Sequence, residues 1–154
     1  MSNGSKLPAS GRDGVRGPRP SSRETSTTQP SCVVGGLLRD QPELTLLTKA
    51  ASGMARIELV DDRLTLVSNV VALRPAALVL PAFDAARVST APLVLRLRRE
   101  VPAVTVIVLA CQPSGAGQPM LRAVQAGAHV LAACTPRDLA QVLTSVLEAR
   151  KGNH

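Results

Sequence analysis

The feature that most constrains this chain is a regular alternation of short aliphatic runs with longer segments of helical spacing. Each run is almost continuously apolar, which is typical of a strand that is buried on both faces. The five runs span 32–38, 56–60, 77–80, 104–109 and 129–133. Strands that alternate with helical segments of this length predict β-α-β crossovers and a parallel sheet.

The segments between the runs place apolar residues at the spacing of an amphipathic helix. The predicted helices span 42–52, 62–73, 92–99 and 119–126, and Gly53 follows the first as a C-cap. In the second helix, Leu64, Val67 and Val71 are expected to share one apolar face. Asp61 or Asp62 is expected to cap the start of that helix.

The last helix has the clearest predicted start in the chain. Thr135 is the N-cap, Pro136 occupies the first helical position and Asp138 the third, a pattern that resembles a capping box. The apolar stripe that follows is Leu139, Val142, Leu143, Val146 and Leu147. The helix before it carries the apolar residues Met120, Leu121 and Val124.

Five strands and five helices in about 120 residues predict a small α/β fold. The expected architecture is a doubly wound, five-stranded parallel sheet with flanking helices, of the flavodoxin-like kind. Residues 56–67 also fit a hairpin that turns at Asp61–Asp62, or part of a longer helix. Gly35–Gly36 is unusual in what should be the central strand, because glycine weakens a strand interior.

Residues 1–31 are rich in Ser, Thr, Gly, Pro and Arg and have almost no large apolar side chains. Such a segment cannot bury enough surface to offset its chain entropy, so we predict a disordered tail before a folded domain at 32–151. The tail carries five basic and two acidic residues, within a chain whose net charge is +7. One alternative is therefore a nucleic-acid-associated protein that uses the tail as a basic arm in weak, salt-sensitive contacts.

Composition argues against several classes of function. Phe83 is the one aromatic residue of the sequence, which argues against stacking on nucleic-acid bases or sugars. His129 and His154 are too few for a histidine metal site, and no GxGxxG or GxxxxGKS phosphate loop is present. We therefore expect no metal, no cofactor and no enzymatic activity. Three cysteines without a CxxC pair, no signal sequence and no membrane span predict a cytoplasmic protein.

Two stretches in the second half of the chain resemble a response-regulator receiver domain. LRLRREVPAVTVIVLA at 95–110 resembles the third helix and fourth strand of that family. LRAVQAGAHVLAACTPRDLAQVL at 121–143 resembles its fourth helix, fifth strand and fifth helix. In the first half, LLRDQPEL at 37–44 takes the place of the acidic loop after strand one, and RPAALVLP at 74–81 takes that of strand three. The resemblance covers residues 32–150 and implies the same fold.

The chemistry of the family needs four groups at the carboxyl edge of the sheet. An acidic pair holds Mg²⁺, an aspartate after strand three accepts a phosphoryl group, and a hydroxyl and a lysine end strands four and five. In this sequence the four positions read Arg39–Asp40, Pro81 or Ala82, Ala110 and Cys134. Asp84 would serve as acceptor only if the third loop were shifted, and otherwise fits a loop or cap residue. Asp40 also fits the N-cap of the helix that begins at Pro42.

A receiver scaffold without these groups implies a signalling or regulatory domain that binds a protein partner, or a second copy of itself, without phosphorylation. In the family such contacts commonly use the fourth helix, fifth strand and fifth helix. The corresponding residues are Met120, Arg122, Gln125, Arg137 and Gln141. Receiver-like domains of this type also occur at the front of larger assembly ATPases and transcription regulators. A further alternative is thiol chemistry, since Cys111 and Cys134 follow neighbouring strands of the predicted sheet.

Overall fold

Strands and helices alternate in a computed structural model that describes residues 31–111, 116–132 and 135–152. The strands of this part are β1 (Ser31–Gly36), β2 (Ala55–Val60), β3 (Ala77–Pro81), β4 (Thr105–Ala110) and β5 (His129–Ala132). The helices are α1 (Pro42–Ala51), α2 (Leu66–Leu73), α3 (Ala91–Glu100), α4 (Gly117–Gln125) and α5 (Pro136–Gly152). β1 begins one residue before the predicted domain boundary, and the rest of the predicted tail lies outside the described residues.

The five strands form one parallel sheet in the order β2–β1–β3–β4–β5. Val33 of β1 aligns with Ile57 of β2 and with Ala77 of β3. Ala77 in turn aligns with Thr105 of β4, and β4 pairs with β5 at the far edge. The predicted doubly wound, five-stranded sheet is therefore confirmed. Because β2 is a parallel strand of this sheet, the hairpin and the longer helix considered for residues 56–67 are both wrong.

Helices cover both faces of the sheet. Because successive side chains of a strand point to opposite faces, each strand contributes to two apolar clusters. In β3, Leu78 and Leu80 pack in the cluster formed with α2, α3 and α4. Ala77 and Val79 pack on the other face, in the cluster formed with α1 and α5. A strand that is covered on both faces needs apolar residues at every position, which is why its sequence is a continuous aliphatic run.

The two glycines of β1 are explained by the leucines that surround them. A Cβ atom added to Gly36 would lie 2.8 Å from Leu80 Cδ2 and 3.1 Å from Leu66 Cδ1. A Cβ atom on Gly35 would lie 3.0 Å from side-chain carbons of Leu38 and Leu59. β1 lies between β2 and β3 and is not the central strand that the sequence predicts, because β3 occupies the middle of the sheet. The missing side chains of β1 make room for large side chains from β2, β3 and α2.

The helix α2 starts later than the sequence indicates. Neither Asp61 nor Asp62 caps it, because the N-cap position is occupied by Thr65 and the helix begins at Leu66. Asp62 instead closes a turn before the helix, where its Oδ1 accepts the Leu64 N–H at 3.0 Å. The physical reason is that an aspartate two residues before an amide stabilises a tight turn as readily as a helix start.

The apolar face predicted for α2 is also wrong in two of its three members. Val67 is buried, but Leu64 is 88% exposed in the turn and Val71 is exposed on the helix. The buried residues of α2 are Leu66, Val67 and Val70. Because the helix begins four residues later than expected, a different set of its side chains faces the sheet.

The ends of α1 and α5 test the other capping predictions. Gln41, and not Asp40, is the N-cap of α1, and α1 ends at Ala51, before Gly53 with its left-handed φ of +74°. The capping box of α5 is confirmed: the Asp138 amide donates to Thr135 Oγ1 at 3.2 Å, and the Thr135 amide donates to Asp138 Oδ2 at 2.9 Å. That Thr135 amide, followed by the Thr135 hydroxyl, holds the pKa of Asp138 below its usual value.

No helix within the described ranges has the length and apolar character needed to cross a membrane.

Candidate functional site at the carboxyl edge of the sheet

The carboxyl ends of β1, β3, β4 and β5 meet at one edge of the sheet, where open α/β sheets bind their ligands. Their last residues are Gly36, Pro81, Ala110 and Ala132. Ala110 and Ala132 are direct neighbours, and Pro81 lies beside Leu109. None of these strand-end residues carries a carboxylate, hydroxyl or ammonium group. Mg²⁺ requires oxygen ligands, and the side chains at these four positions do not fit it.

Pro81 and Ala82, the positions at which the resemblance locates the phosphoryl acceptor, are buried and bonded through their backbone. Thr90, only 1% exposed, donates its hydroxyl to Pro81 O at 2.5 Å and contacts Ala82 O at 3.2 Å. The Thr90 amide also donates to Ala82 O at 3.0 Å. A threonine just before a helix is expected to cap that helix, but here its hydroxyl fastens the start of α3 to the end of β3.

Asp84 lies in the loop after β3 and is surrounded by donors. Its Oδ1 accepts the Ala86 and Val88 amides at 2.9 and 3.0 Å. Its Oδ2 forms an ion pair with Arg63, whose Nη2 lies 3.0 Å away. The same guanidinium donates to Ser89 O at 3.2 Å, so Arg63 joins the loop before α2 to the loop before α3.

Burial and hydrogen bonding act in opposite directions on the ionisation of Asp84. Burial favours the neutral acid, but the Val88 amide, the Arg63 guanidinium and the Ala86 amide favour the carboxylate. The result is a pKa below the ordinary 3.8. Asp84 is therefore an ionised carboxylate whose oxygens are already engaged, which is the chemistry of a structural loop residue.

A second ion pair lies beside the first, at the outer end of the same edge. Arg39 donates from Nε to Asp61 at 3.0 Å, and its backbone amide donates to the same carboxylate at 3.2 Å. Asp40 lies next to this pair in a left-handed turn, with φ of +61°, and is exposed. Together with Arg63 and Asp84 these residues line an open cavity of about 400 Å³. Arg39 and Asp40 thus lie three and four residues beyond the end of β1, in the loop that follows it.

No family model matches the chain, and no curated protein matches it. Solved structures do match. The receiver domain of NtrX from Brucella abortus gives a TM-score of 0.63 at 14% identity, covering 76% of this chain and 98% of that one. The receiver domain of the Francisella response regulator 1452 gives 0.63 at 12%, covering 78% and 98%. The receiver domain of RcsB from Salmonella enterica, solved with the phosphomimetic BeF₃⁻, gives 0.59 at 15%, covering 78% and 90%.

The chain has a receiver-like fold. At 12 to 15% identity the likeness to these response-regulator domains concerns the fold alone. A longer NtrX structure also matches, and there the chain spans 28% of the length. The receiver-like fold shows which edge of the sheet corresponds to the receiver site. It does not determine the side chains at that edge, which are read from this sequence alone.

Ala110 and Cys134 complete the set of predicted edge positions. Ala110 is buried at the end of β4, beside Ala132 of β5. Cys134 lies outside the described residues, and so does any contact between Cys111 and Cys134. Within the described ranges, no three side chains of His, Cys, Asp or Glu are grouped as a metal site would need.

Glu43 is an edge residue that the sequence prediction missed. It is 7% exposed, lies in the first turn of α1, and accepts the Cys111 amide on Oε2 at 3.0 Å. The bond joins the start of α1 to the end of β4 across the edge. A glutamate in the first turn of a helix usually interacts with the helix dipole in solvent, so nothing in the sequence distinguishes this one.

The surface formed by α4, β5 and α5 contains the residues predicted to contact a partner. Arg122, Gln125, Arg137 and Gln141 are exposed, whereas Met120 is half-buried and packs inward. Two apolar residues of α4 that the partner prediction omitted, Leu121 and Val124, are 50% and 53% exposed. They stand one turn apart, with Gln125 next to Leu121 along the helix. We call this region the α4–β5–α5 surface.

Proposed function

We propose that the chain is a receiver-like signalling or regulatory domain that accepts no phosphoryl group and acts through protein–protein contacts. The observation that supports the proposal best is the chemistry of the strand ends. A receiver needs an acceptor carboxylate, a hydroxyl and a lysine there, and the corresponding positions of this sequence are Pro81 or Ala82, Ala110 and Cys134. The sheet is complete while the phosphoryl-transfer groups are missing, which favours retention of the scaffold for binding.

Asp84 does not replace the missing acceptor in this proposal. Both of its oxygens are engaged, by two backbone amides and by Arg63. An attack on a phosphoryl donor would require breaking the ion pair and releasing the loop before α3. Within the described ranges, the groups bonded to the Asp84 carboxylate are Arg63 and the Ala86 and Val88 amides, and none of them is a lysine.

The partner would bind the α4–β5–α5 surface. β5 is an edge strand, with exposed His129 and Ala132, and α4 presents Leu121 and Val124 beside it. Exposed apolar residues among arginines and glutamines are the composition of a protein interface core with a polar rim. We also propose that residues 1–30 form a disordered basic tail. We propose further that the protein is cytoplasmic and has no enzymatic activity.

The test of the proposal is treatment of the protein with acetyl phosphate and Mg²⁺, followed by intact mass measurement. We expect no gain of a phosphoryl group, whereas a receiver domain that carries the acceptor aspartate, run in parallel, gains one. A stoichiometric gain that disappears in Asp84→Asn would overturn the proposal and assign the acceptor. A matched Asp40→Asn variant controls for labelling of any exposed carboxylate.

The binding half of the proposal is tested on the α4–β5–α5 surface. Sedimentation velocity measures self-association of the protein, and affinity capture from source-cell lysate measures a partner. Leu121→Ser together with Val124→Ser is expected to abolish the association or the capture. Leu64→Ser, which changes a still more exposed leucine in the turn before α2, is the control. Equal association of both variants would contradict the assignment of this surface.

A further inference from the structure

β2 lies at one edge of the sheet, and its outer side lacks a strand partner within the described part of the chain. Val60 O accepts the Leu37 amide, so the backbone groups of Val60 face the sheet. Because successive residues of a strand direct their N–H and C=O groups to alternate sides, those of Ala55, Ile57 and Leu59 face outward. No described residue forms a hydrogen bond with these outward groups. They form a row of donors and acceptors to which a further strand can pair.

The two charged residues of β2 have opposite signs and lie two positions apart, on one face of the sheet. Arg56 and Glu58 form an ion pair with each other, and their side chains are 47% and 39% exposed. Such an exposed pair contributes little to the stability of a single copy. Charges that protect a strand edge against pairing act through repulsion between like charges on two copies. The Arg–Ile–Glu order of β2 gives no such repulsion, because it is complementary to itself in the antiparallel direction.

An antiparallel pairing of β2 with β2 of a second copy places these charges opposite each other. A two-fold axis at Ile57 aligns Ile57 with its own counterpart, and each Arg56 with Glu58 of the second copy. The same axis aligns Ala55 with Leu59, so the outward-facing residues occupy the hydrogen-bonded positions and form about six backbone hydrogen bonds. Arg56 and Glu58 occupy the intervening positions, where opposed side chains are closest, and form an ion pair on each side of the axis.

The apolar side chains of β2 fit the same register. Leu59 lies on the face of the sheet that α1 covers, yet it is 46% exposed. In the antiparallel pair it lies across from Ala55 of the second copy, whose small side chain leaves room for it. The opposite edge of the sheet is a poorer partner for β2, because β5 spans four residues, His129–Ala132, and carries no pair of opposite charges.

We propose that the protein forms a symmetric dimer by antiparallel pairing of β2 with β2 of a second copy, with Arg56 and Glu58 setting the register. The two five-stranded sheets become one continuous sheet. β5 lies at the far edge of each sheet, so the dimer leaves the α4–β5–α5 surface free for a protein partner. The inference goes beyond the proposed function and does not depend on it, since neither phosphorylation nor the partner enters the pairing.

The test is a charge-reversal series on the full-length protein, measured by sedimentation velocity over a range of concentrations. We expect the wild type to dimerise. Arg56→Glu alone and Glu58→Arg alone place like charges opposite each other, so each should weaken dimerisation by at least about tenfold. An equimolar mixture of the two variants restores opposite charges across the axis and should recover the dimer. Arg96→Glu, which breaks a similarly exposed ion pair on α3, is the matched control and should dimerise as the wild type does.

A second measurement depends on no variant. Hydrogen exchange of the ¹⁵N-labelled wild type, read by NMR, compares a protein concentration below the dimerisation midpoint with one above it. The Ile57 and Leu59 amides face solvent in the monomer and should exchange at least about tenfold more slowly in the dimer. The Glu58 amide faces β1 in both states and is the internal reference.

The proposal is overturned by a wild type that stays monomeric, by single variants that dimerise as the wild type does, or by a mixture that fails to recover the dimer. A monomeric wild type with a protected Ile57 amide would overturn it and assign the edge to residues 1–30 of the same chain. Association that is lost in Leu121→Ser with Val124→Ser, but kept in both β2 variants, would contradict this inference and support the α4–β5–α5 surface. The two proposals therefore fail separately.

Discussion

The two ends of the sheet's carboxyl edge are built in opposite ways. Around β1, β2 and β3 the loops are fastened to one another by two ion pairs, Arg39–Asp61 and Arg63–Asp84, and by the buried hydroxyl of Thr90. Beside β5, α4 instead presents Leu121 and Val124 to solvent. The difference teaches that charged residues at the edge where receivers carry their chemistry can be structural, while the surface that we propose for binding carries no chemical motif.

The largest expected effect on stability comes from the buried hydroxyl of Thr90, at the end of the edge formed by β1, β2 and β3. Thr90→Val keeps the shape of the side chain but removes the donor to Pro81 O, so the free energy of unfolding should fall by about 1–3 kcal/mol. Urea denaturation followed by circular dichroism measures this change. Thr48→Val, which alters an exposed threonine of α1, should change stability by less than about 0.5 kcal/mol. Equal effects of the two substitutions would show that Thr90 does not fasten the loop.

A smaller effect is expected from the ion pair at Asp84. Asp84→Asn removes the charge that pairs with Arg63 but leaves a carbonyl oxygen for the Ala86 and Val88 amides. We expect a loss of about 1 kcal/mol, against a negligible change for the exposed Asp40→Asn. Urea midpoints of the two variants measure the difference. An equal midpoint in both would mean that the Arg63–Asp84 pair does not stabilise the loops.

The pH dependence of stability should follow the same carboxylate. Because the pKa of Asp84 in the folded protein lies below its ordinary 3.8, its contribution is present above that pH and is lost as pH falls through the lower folded pKa. Asp138 acts in the same direction through its capping box. Thermal melts between pH 6 and pH 2 should therefore show a shallower acid loss in Asp84→Asn than in the wild type. A parallel loss in both would contradict this account of Asp84.

The smallest effect on stability is expected on the α4–β5–α5 surface. Leu121→Ser with Val124→Ser removes two exposed side chains, so the free energy of unfolding should change by less than about 0.5 kcal/mol for each. Thermal denaturation checks this. A large loss would mean that these residues belong to the core and not to a binding surface, and would break the comparison between the two sides.

The sequence predicts the sheet well because strands covered on both faces must be aliphatic throughout. A continuous aliphatic run therefore identifies each strand. The sequence also predicts α5, because the hydrogen bonds of Thr135 and Asp138 are local. It fails at α2, because Asp62 stabilises a turn and does not cap the helix. It also fails to explain Gly35–Gly36, because the leucines that leave no room for a side chain there come from other elements.

The candidate site is predicted less completely than the fold. The strand-end residues follow from the resemblance, since parallel strands bring their carboxyl ends together. The partners of Glu43, Asp84 and Arg39 are 68, 21 and 22 residues away along the chain, and no local pattern encodes such contacts. Leu121 and Val124 have the spacing of core residues, and only the packing of Met120 and Ala123 shows which side of α4 is covered.

The most direct test of the central claim is an NMR spectrum of the labelled protein with and without Mg²⁺ and BeF₃⁻, the phosphomimetic with which matched receiver domains have been solved. If the strand ends hold no phosphoryl-transfer site, the amides of Ala82, Ala110 and the α4–β5–α5 surface should keep their positions. Saturable shifts that begin at the carboxyl edge and extend to α4 would contradict the account, because they would show that this edge still binds a phosphoryl mimic.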